Sequence, residues 1–120
     1  MFKKIIITGG LGYIGTELCK LYSGVSWHHK VVVIDNRFIS ERVNQLRNWN
    51  MEFIHGDILD KNLVEKHFKD ADVVHHLAGI TEVPRTKNES SKSIDEKISL
   101  VGVKGTQNIL DSISDKCKII

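Results

Sequence analysis

The sequence predicts an α/β fold, a doubly wound parallel sheet with helices on both faces. Three observations carry that expectation. Apolar runs alternate with helix-periodic segments along all 120 residues, an order that gives parallel strands joined by crossover helices. The runs at residues 5–7 and 31–34 are apolar without interruption, as strands covered on both faces must be. Four glycines, Gly9, Gly10, Gly12 and Gly15, separate the first strand pattern from the first helix pattern.

Lys4–Thr8 reads as the first strand. Residues 13–23 set Ile14, Leu18, Leu21 and Tyr22 at helical spacing, with Glu17 and Lys20 on the other side. Ser23-Gly24 supplies a stop, glycine providing a left-handed cap. Residues 31–34 form a second strand ending on Asp35, and Ser40 caps a short helix containing Val43 and Leu46. Glu52–His55 is the third strand; Asp60 then caps a helix carrying Leu63, Val64, His67 and Phe68. Residues 73–77 form the fourth strand, closing on Ala78-Gly79. The polar stretch 81–93, with the only proline, Pro84, reads as a loop. Ile94, Ile98, Val101, Gly105 and Ile109 mark a long helix, and residues 118–120 begin a fifth strand, where the sheet is cut short. Right-handed crossovers make 3-2-1-4-5 the natural strand order. The whole of 1–120 reads as one domain, the N-terminal part of a longer protein.

Composition narrows the partners. A net charge of +2, with the basic residues scattered, argues against nucleic acid. The three isoleucines after Lys3 and Lys4 are too few for a signal-peptide core of ~7–15 residues, and no apolar run approaches the ~18 needed to span a bilayer. A cytoplasmic protein with no membrane partner is expected. Cys19 and Cys117 have no C-x-x-C neighbour and read as reduced, buried thiols.

The glycines carry the first chemistry. Gly10, Gly12 and Gly15 satisfy G-x-G-x-x-G, and Gly9, Gly12 and Gly15 give an overlapping G-x-x-G-x-x-G. After a strand and opening a helix, this is the dinucleotide-binding fingerprint of Rossmann-type sheets, whose amides and positive helix end hold a pyrophosphate. G-x-x-x-x-G-K-[ST] is absent, which removes a P-loop. Asp35 lies 20 residues after Gly15, where a carboxylate accepts from both hydroxyls of an adenosine ribose. A 2′-phosphate there would meet like charge, costing on the order of 4 kcal/mol per pair at ~4 Å and an effective dielectric of ~20. NAD is therefore expected over NADP, with Arg37, two residues on, partly offsetting the preference. Asp57, in Gly56-Asp57-Ile58, is placed to accept from an adenine amino group, and is explained almost equally well as a turn-forming aspartate. His75 and His76 cannot readily chelate one ion, since adjacent strand residues point to opposite faces. One is expected beneath a helix and the other near the crevice; no metal site is assigned.

With Thr8-Gly9-Gly10-x-Gly12-x-Ile14-Gly15, Asp35-Asn36, Gly56-Asp57-Ile58 and His76-Leu77-Ala78-Gly79 in order, the chain resembles the NAD-dependent epimerase/dehydratase family of extended short-chain dehydrogenase/reductases, which includes nucleotide-sugar enzymes. The resemblance implies that Gly9, Gly12, Tyr13 and Ile14 lie along the pyrophosphate, Asp35 and Asn36 at the ribose, and Asp57 and Ile58 beside adenine. It places Leu77, Ala78 and Gly79 on the nicotinamide side. Residues 102–110 resemble the family's N-V-x-G-T-x-N-L-L helix, with Gly102 in place of asparagine, and Thr81 stands where sugar epimerases often carry lysine. The family's Y-x-x-x-K pair is absent: Tyr13 and Tyr22 are followed at the fourth place by Glu17 and Ser26. No catalytic residue is assigned to this stretch, which is expected to be inactive alone. The implied parent enzyme binds NAD and a nucleotide sugar, with a homodimer as one assembly; the other reading is a stand-alone NAD(H)-binding or sensing module.

Overall fold

A computed structural model describes residues 2–79, Glu96 and residues 100–120. The loop expected over 81–93, with Thr81 and Pro84, and the helix positions Ile94 and Ile98 lie outside the described residues.

Five strands, β1 (Lys4–Thr8), β2 (Lys30–Asp35), β3 (Glu52–His55), β4 (Val73–His76) and β5 (Lys118–Ile119), form one parallel sheet in the order β3-β2-β1-β4-β5. The doubly wound order expected from the sequence is the one observed. Between the strands run α1 (Tyr13–Tyr22), α2 (Ser40–Asn48), α3 (Lys61–Phe68) and α4 (Thr106–Ser112).

Each apolar strand run divides between two cores because its side chains alternate across the sheet. Ile5, Ile7, Val31 and Val33 pack with Leu11, Cys19, Val43, Leu46 and Met51 on the face covered by α1 and α2. Ile6, Val32, Ile34 and Val74 pack with Ile58, Val64, Phe68, Ala71 and Ile109 on the face covered by α3 and α4. Fully burying one such side chain contributes about 1.5–3 kcal/mol, so both faces hold the sheet. Lys4 is buried at the foot of β1; its ammonium donates to the His67 carbonyl and to Asp70, each at 2.6 Å. That cation sits at the carbonyl end of α3, where the helix dipole favours it, and it holds Asp70 below the usual carboxylate range.

Several local expectations are corrected. Gly24 is not a left-handed cap: Ser23 is right-handed, and the chain turns on through a Val25-to-Tyr22 backbone bond. The left-handed cap is Asn50 after α2, at φ 59°, with the Met51 amide reaching the Leu46 carbonyl and the Asn50 amide the Arg47 carbonyl. Asparagine tolerates this region where most residues do not. Ser40 is the first residue of α2 rather than its cap, which is Ile39 with no side-chain bond. Asp60 does cap α3, accepting from the Leu63 amide. The long fourth helix, where described, is helical at Glu96 and passes through a π-helical turn at Leu100–Gly105 into α4. Gly102 and Gly105 weaken the α-helical ladder there, and Gly105 lies directly on Ile58. Cys19 is buried and its thiol is pushed up to about 12 by that burial, whereas Cys117 is only half-buried. Among the described residues, no helix is long and apolar enough to cross a membrane.

Candidate functional site

A parallel sheet brings the carboxyl ends of all its strands to one side. The turns that leave β1, β2, β3 and β4 there surround a cleft of about 420 Å³. Its walls include Gly9, Gly12, Tyr13, Ile14 and Gly15 after β1, and Asp35, Asn36 and Arg37 at the end of β2. Asp57 and Ile58 follow β3, and Leu77, Ala78 and Gly79 follow β4. Of the cofactor residues expected from sequence, Gly10 alone is not on this wall. It is buried beneath the turn, where a side chain would strike Val33. Ile34 and Gly56 also line the cleft; the sequence marks Ile34 only as core strand and Gly56 only as the opening of the Gly56-Asp57-Ile58 motif.

The glycine turn is shaped by contact as well as conformation. Gly9 has φ +68°, and a Cβ there would stand 2.8 Å from the Ala78 amide nitrogen. A Cβ on Gly15 would meet the Gly9 carbonyl at 2.5 Å, so the first turn of α1 rests on the turn itself. The first backbone bond into the helix runs from Thr16 to Gly12 at 2.9 Å, and no side chain caps this end. The amides of Tyr13, Ile14 and Gly15 therefore have no intrahelical acceptor and stand at the positive end of α1, beside the cleft.

Asp35 is buried, and its carboxylate is saturated. One oxygen accepts from the Leu11 amide at 3.0 Å and from Arg37 Nη2 at 3.1 Å. The other accepts from the Arg37 amide at 2.9 Å and from Arg37 Nε at 3.1 Å. The forked pair raises the Arg37 guanidinium above its ordinary value, while the arginine side chain itself remains 54% exposed. Arg42 donates to the Leu11 carbonyl and so braces the same turn from α2.

Beyond β3, the exposed Asp57 accepts from the Leu59 amide at 2.9 Å, which realises its turn-forming reading. Ile58 is buried, and its carbonyl accepts from the Asn108 amide group at 2.9 Å, tying this wall to α4. Gly102 is exposed with open space where a side chain would stand.

The two histidines point apart, as the strand period requires. His75 lies under α1 with Nε2 2.6 Å from the Tyr22 hydroxyl. His76 faces the other side, with Nδ1 2.8 Å from Thr8 Oγ1 and Nε2 2.9 Å from Thr106 Oγ1. Burial pushes both below the ordinary histidine range. Thr8 Oγ1 also accepts from the Leu77 and Ala78 amides, each at 3.1 Å. This side-chain network behind the β4 wall was missed, because residues 8, 76 and 106 share no spacing that marks them as neighbours.

Comparison with known proteins agrees with this architecture. The model of the 3-beta hydroxysteroid dehydrogenase/isomerase family matches residues 6–119. The chain is 34% identical to the UDP-N-acetyl-alpha-D-glucosaminuronate decarboxylase of Bacillus cytotoxicus over 100% of its own length and 36% of that protein's. It is 34% identical to the UDP-glucose 4-epimerase of Neisseria meningitidis serogroup B, over 81% of this chain and 30% of that one. Among solved structures, the epimerase Mth375 of Methanothermobacter thermautotrophicus superposes with a TM-score of 0.72 at 29% identity, over 92% of this chain and 31% of that one. Bordetella bronchiseptica WbmH in complex with NAD+ gives 0.70 at 28% identity, over 93% and 35%. The chain thus spans about a third of the length of the relatives it matches. It belongs to the 3-beta hydroxysteroid dehydrogenase/isomerase family and, with it, to the NAD-dependent epimerase/dehydratase group of extended short-chain dehydrogenase/reductases.

Proposed function

We propose that the cleft binds NAD, and that this chain is the cofactor-binding part of a longer enzyme that moves hydride between a nucleotide-sugar carbon and nicotinamide. The observation that carries the reading is the convergence of thirteen of the fourteen expected cofactor residues, all but Gly10, on one cleft. The cradle suits a dinucleotide: three amides without helical acceptors stand at the cleft, on a turn whose glycines at 9 and 15 let the backbone pack too closely for side chains. Relatives that are decarboxylases and epimerases of UDP-sugars, and a structural neighbour solved with NAD+, support the cofactor and the substrate class.

The residues divide the work by chemistry. Tyr13, Ile14 and Gly15 offer amides to the pyrophosphate, and Asp35 accepts from the adenosine ribose hydroxyls. Asn36 flanks the same ribose. Asp57 keeps one carboxylate oxygen outside its Asx turn for the adenine amino group, against which Ile58 packs. Leu77, Ala78 and Gly79 back the nicotinamide and keep water from that end. When bound, the cofactor supplies the hydride acceptor. On this reading the half-exposed Arg37 side chain gives way to the ribose hydroxyls at Asp35. The negative charge at Asp35 favours NAD over NADP. Proton transfer falls to a tyrosine–lysine pair outside this sequence, since a phenol of pKa ~10 needs a nearby cation to act as a base at neutral pH.

Calorimetric titration of the full-length protein with NAD, NADP and a UDP-sugar tests this reading. Saturable binding of NAD tighter than NADP, with turnover of a nucleotide sugar, is expected. Residues 1–120 expressed alone are expected to turn over nothing. NAD binding without turnover in the full-length protein would mark a non-catalytic binding module instead, and no NAD binding would overturn the site.

A further inference from the structure

Hydroxyl bookkeeping at Thr8 assigns His76 a role that lies outside the cleft lining. A threonine oxygen has two lone pairs and one proton. Thr8 Oγ1 receives the Leu77 and Ala78 amides at 3.1 Å each, although the Leu77 amide is shared with the Thr8 carbonyl at 3.2 Å. Both lone pairs are thereby engaged, so the Thr8 proton must go to the remaining partner, His76 Nδ1 at 2.8 Å. Nδ1 is then an acceptor and bears no proton. In the neutral ring the proton sits on Nε2, which donates to Thr106 Oγ1 at 2.9 Å. The ring thus joins the end of β1 to the first residue of α4 in one direction of donation.

What this fixes is a spacing. The amide nitrogen of Ala78 lies so close to Gly9 that a Cβ there would stand only 2.8 Å from it. The turn after β1 and the turn after β4 therefore meet backbone to backbone, and the Thr8 hydroxyl, beside the Thr8 carbonyl, spans them. Were Nδ1 to carry a proton, three donors would face Thr8 Oγ1 and the hydroxyl proton would have no acceptor. One or both amide bonds would then be lost, at the cost of an unpaired polar group.

We infer that His76, held as the Nε2–H tautomer between Thr8 and Thr106, is a positioning residue that sets the distance between the glycine turn and the residue 77–79 wall. The consequence for cofactor affinity rests on the proposed NAD reading; the tautomer and the lock do not.

Two side chains separate the halves of the ring. In His76→Asn the amide oxygen stands where Nδ1 stood and still accepts from Thr8. In His76→Gln the longer amide reaches toward Thr106 and leaves the Thr8 proton without its acceptor. Asparagine is expected to keep NAD affinity within about threefold of the unsubstituted full-length protein, while glutamine weakens it about tenfold or more, given the usual cost of an unsatisfied buried group. A merely space-filling histidine would favour the closer match in size, glutamine. Independently, the ring-nitrogen chemical shifts of the unsubstituted protein should show Nδ1 unprotonated and Nε2 protonated, which needs no variant to fold. A protonated Nδ1, glutamine binding as tightly as histidine, or asparagine as weak as glutamine overturns the inference. If the unsubstituted protein binds no NAD, the cofactor reading fails, and the ring shifts alone uphold or overturn the lock.

Discussion

The two sides of the cleft are built on opposite plans. On the β4 side, Thr8, His76 and Thr106 form a part-buried chain of hydrogen bonds that leaves the amides of residues 77 and 78 tied to β1. On the β2 side, the buried Asp35 is also fully paired, but three of its four bonds come from Arg37, whose side chain is half-exposed. One wall is ready-made and the other is filled by a side chain of its own. The contrast shows how a charged group stays buried: a local arginine and two backbone amides satisfy the carboxylate.

The contrast can be broken most severely at the junction of the two walls. Gly9→Ala combines a positive φ with a 2.8 Å approach to Ala78, and is expected to cost about 3 kcal/mol in urea unfolding and to abolish NAD binding. Gly24→Ala, in open space and without a positive φ, is the matched control and should be neutral or stabilising by about 0.5 kcal/mol. On the β2 side, Asp35→Asn removes the charge while keeping the shape. Calorimetry should show NAD affinity about ten- to a hundredfold weaker, the usual worth of hydrogen bonds to a charged group.

Arg37→Ala sharpens the contrast differently. On the proposed reading it frees Asp35 for the ribose and deletes the cation nearest a 2′-phosphate. The ratio of NAD to NADP affinity should rise roughly tenfold in paired titrations; an unchanged ratio would remove Arg37 from the selectivity argument. The smallest effect is on stability against acid. His67, His75 and His76 are held below their unfolded value of about 6.5, chiefly by burial. The unfolded chain therefore takes up protons first as pH falls, and stability present above pH ~6.5 is lost on going lower. Asp70, held down by Lys4, adds a loss in the same direction below its own range. Thermal midpoints at pH 7 and pH 5 check the sign, with the lower midpoint expected at pH 5.

Much of this was legible before the structure. Uninterrupted runs such as residues 31–34 revealed strands covered on both sides, and β-α alternation left one sensible strand order. The glycines and Asp35 reveal themselves by spacing, because a turn and a strand end are local events. What stayed hidden depends on meetings between distant residues. Nothing at residue 37 announces that its side chain folds back onto Asp35, and nothing in the sequence marks Asn50, rather than Gly24, as the left-handed cap. The segment Leu100–Gly105 reads as part of an α-helix but is π-helical, and Gly105 seats against Ile58 from another part of the chain.

The most direct test of the account is a map of amide chemical-shift changes as NAD is added to the full-length protein. The account predicts saturable changes concentrated at residues 9–15, 35–37, 57–58 and 77–79. It predicts none at the groove by the opposite ends of the strands, lined by Phe2, Trp27, Lys30 and Arg47. Changes centred on that groove, or no saturable change at the glycine turn, would contradict it.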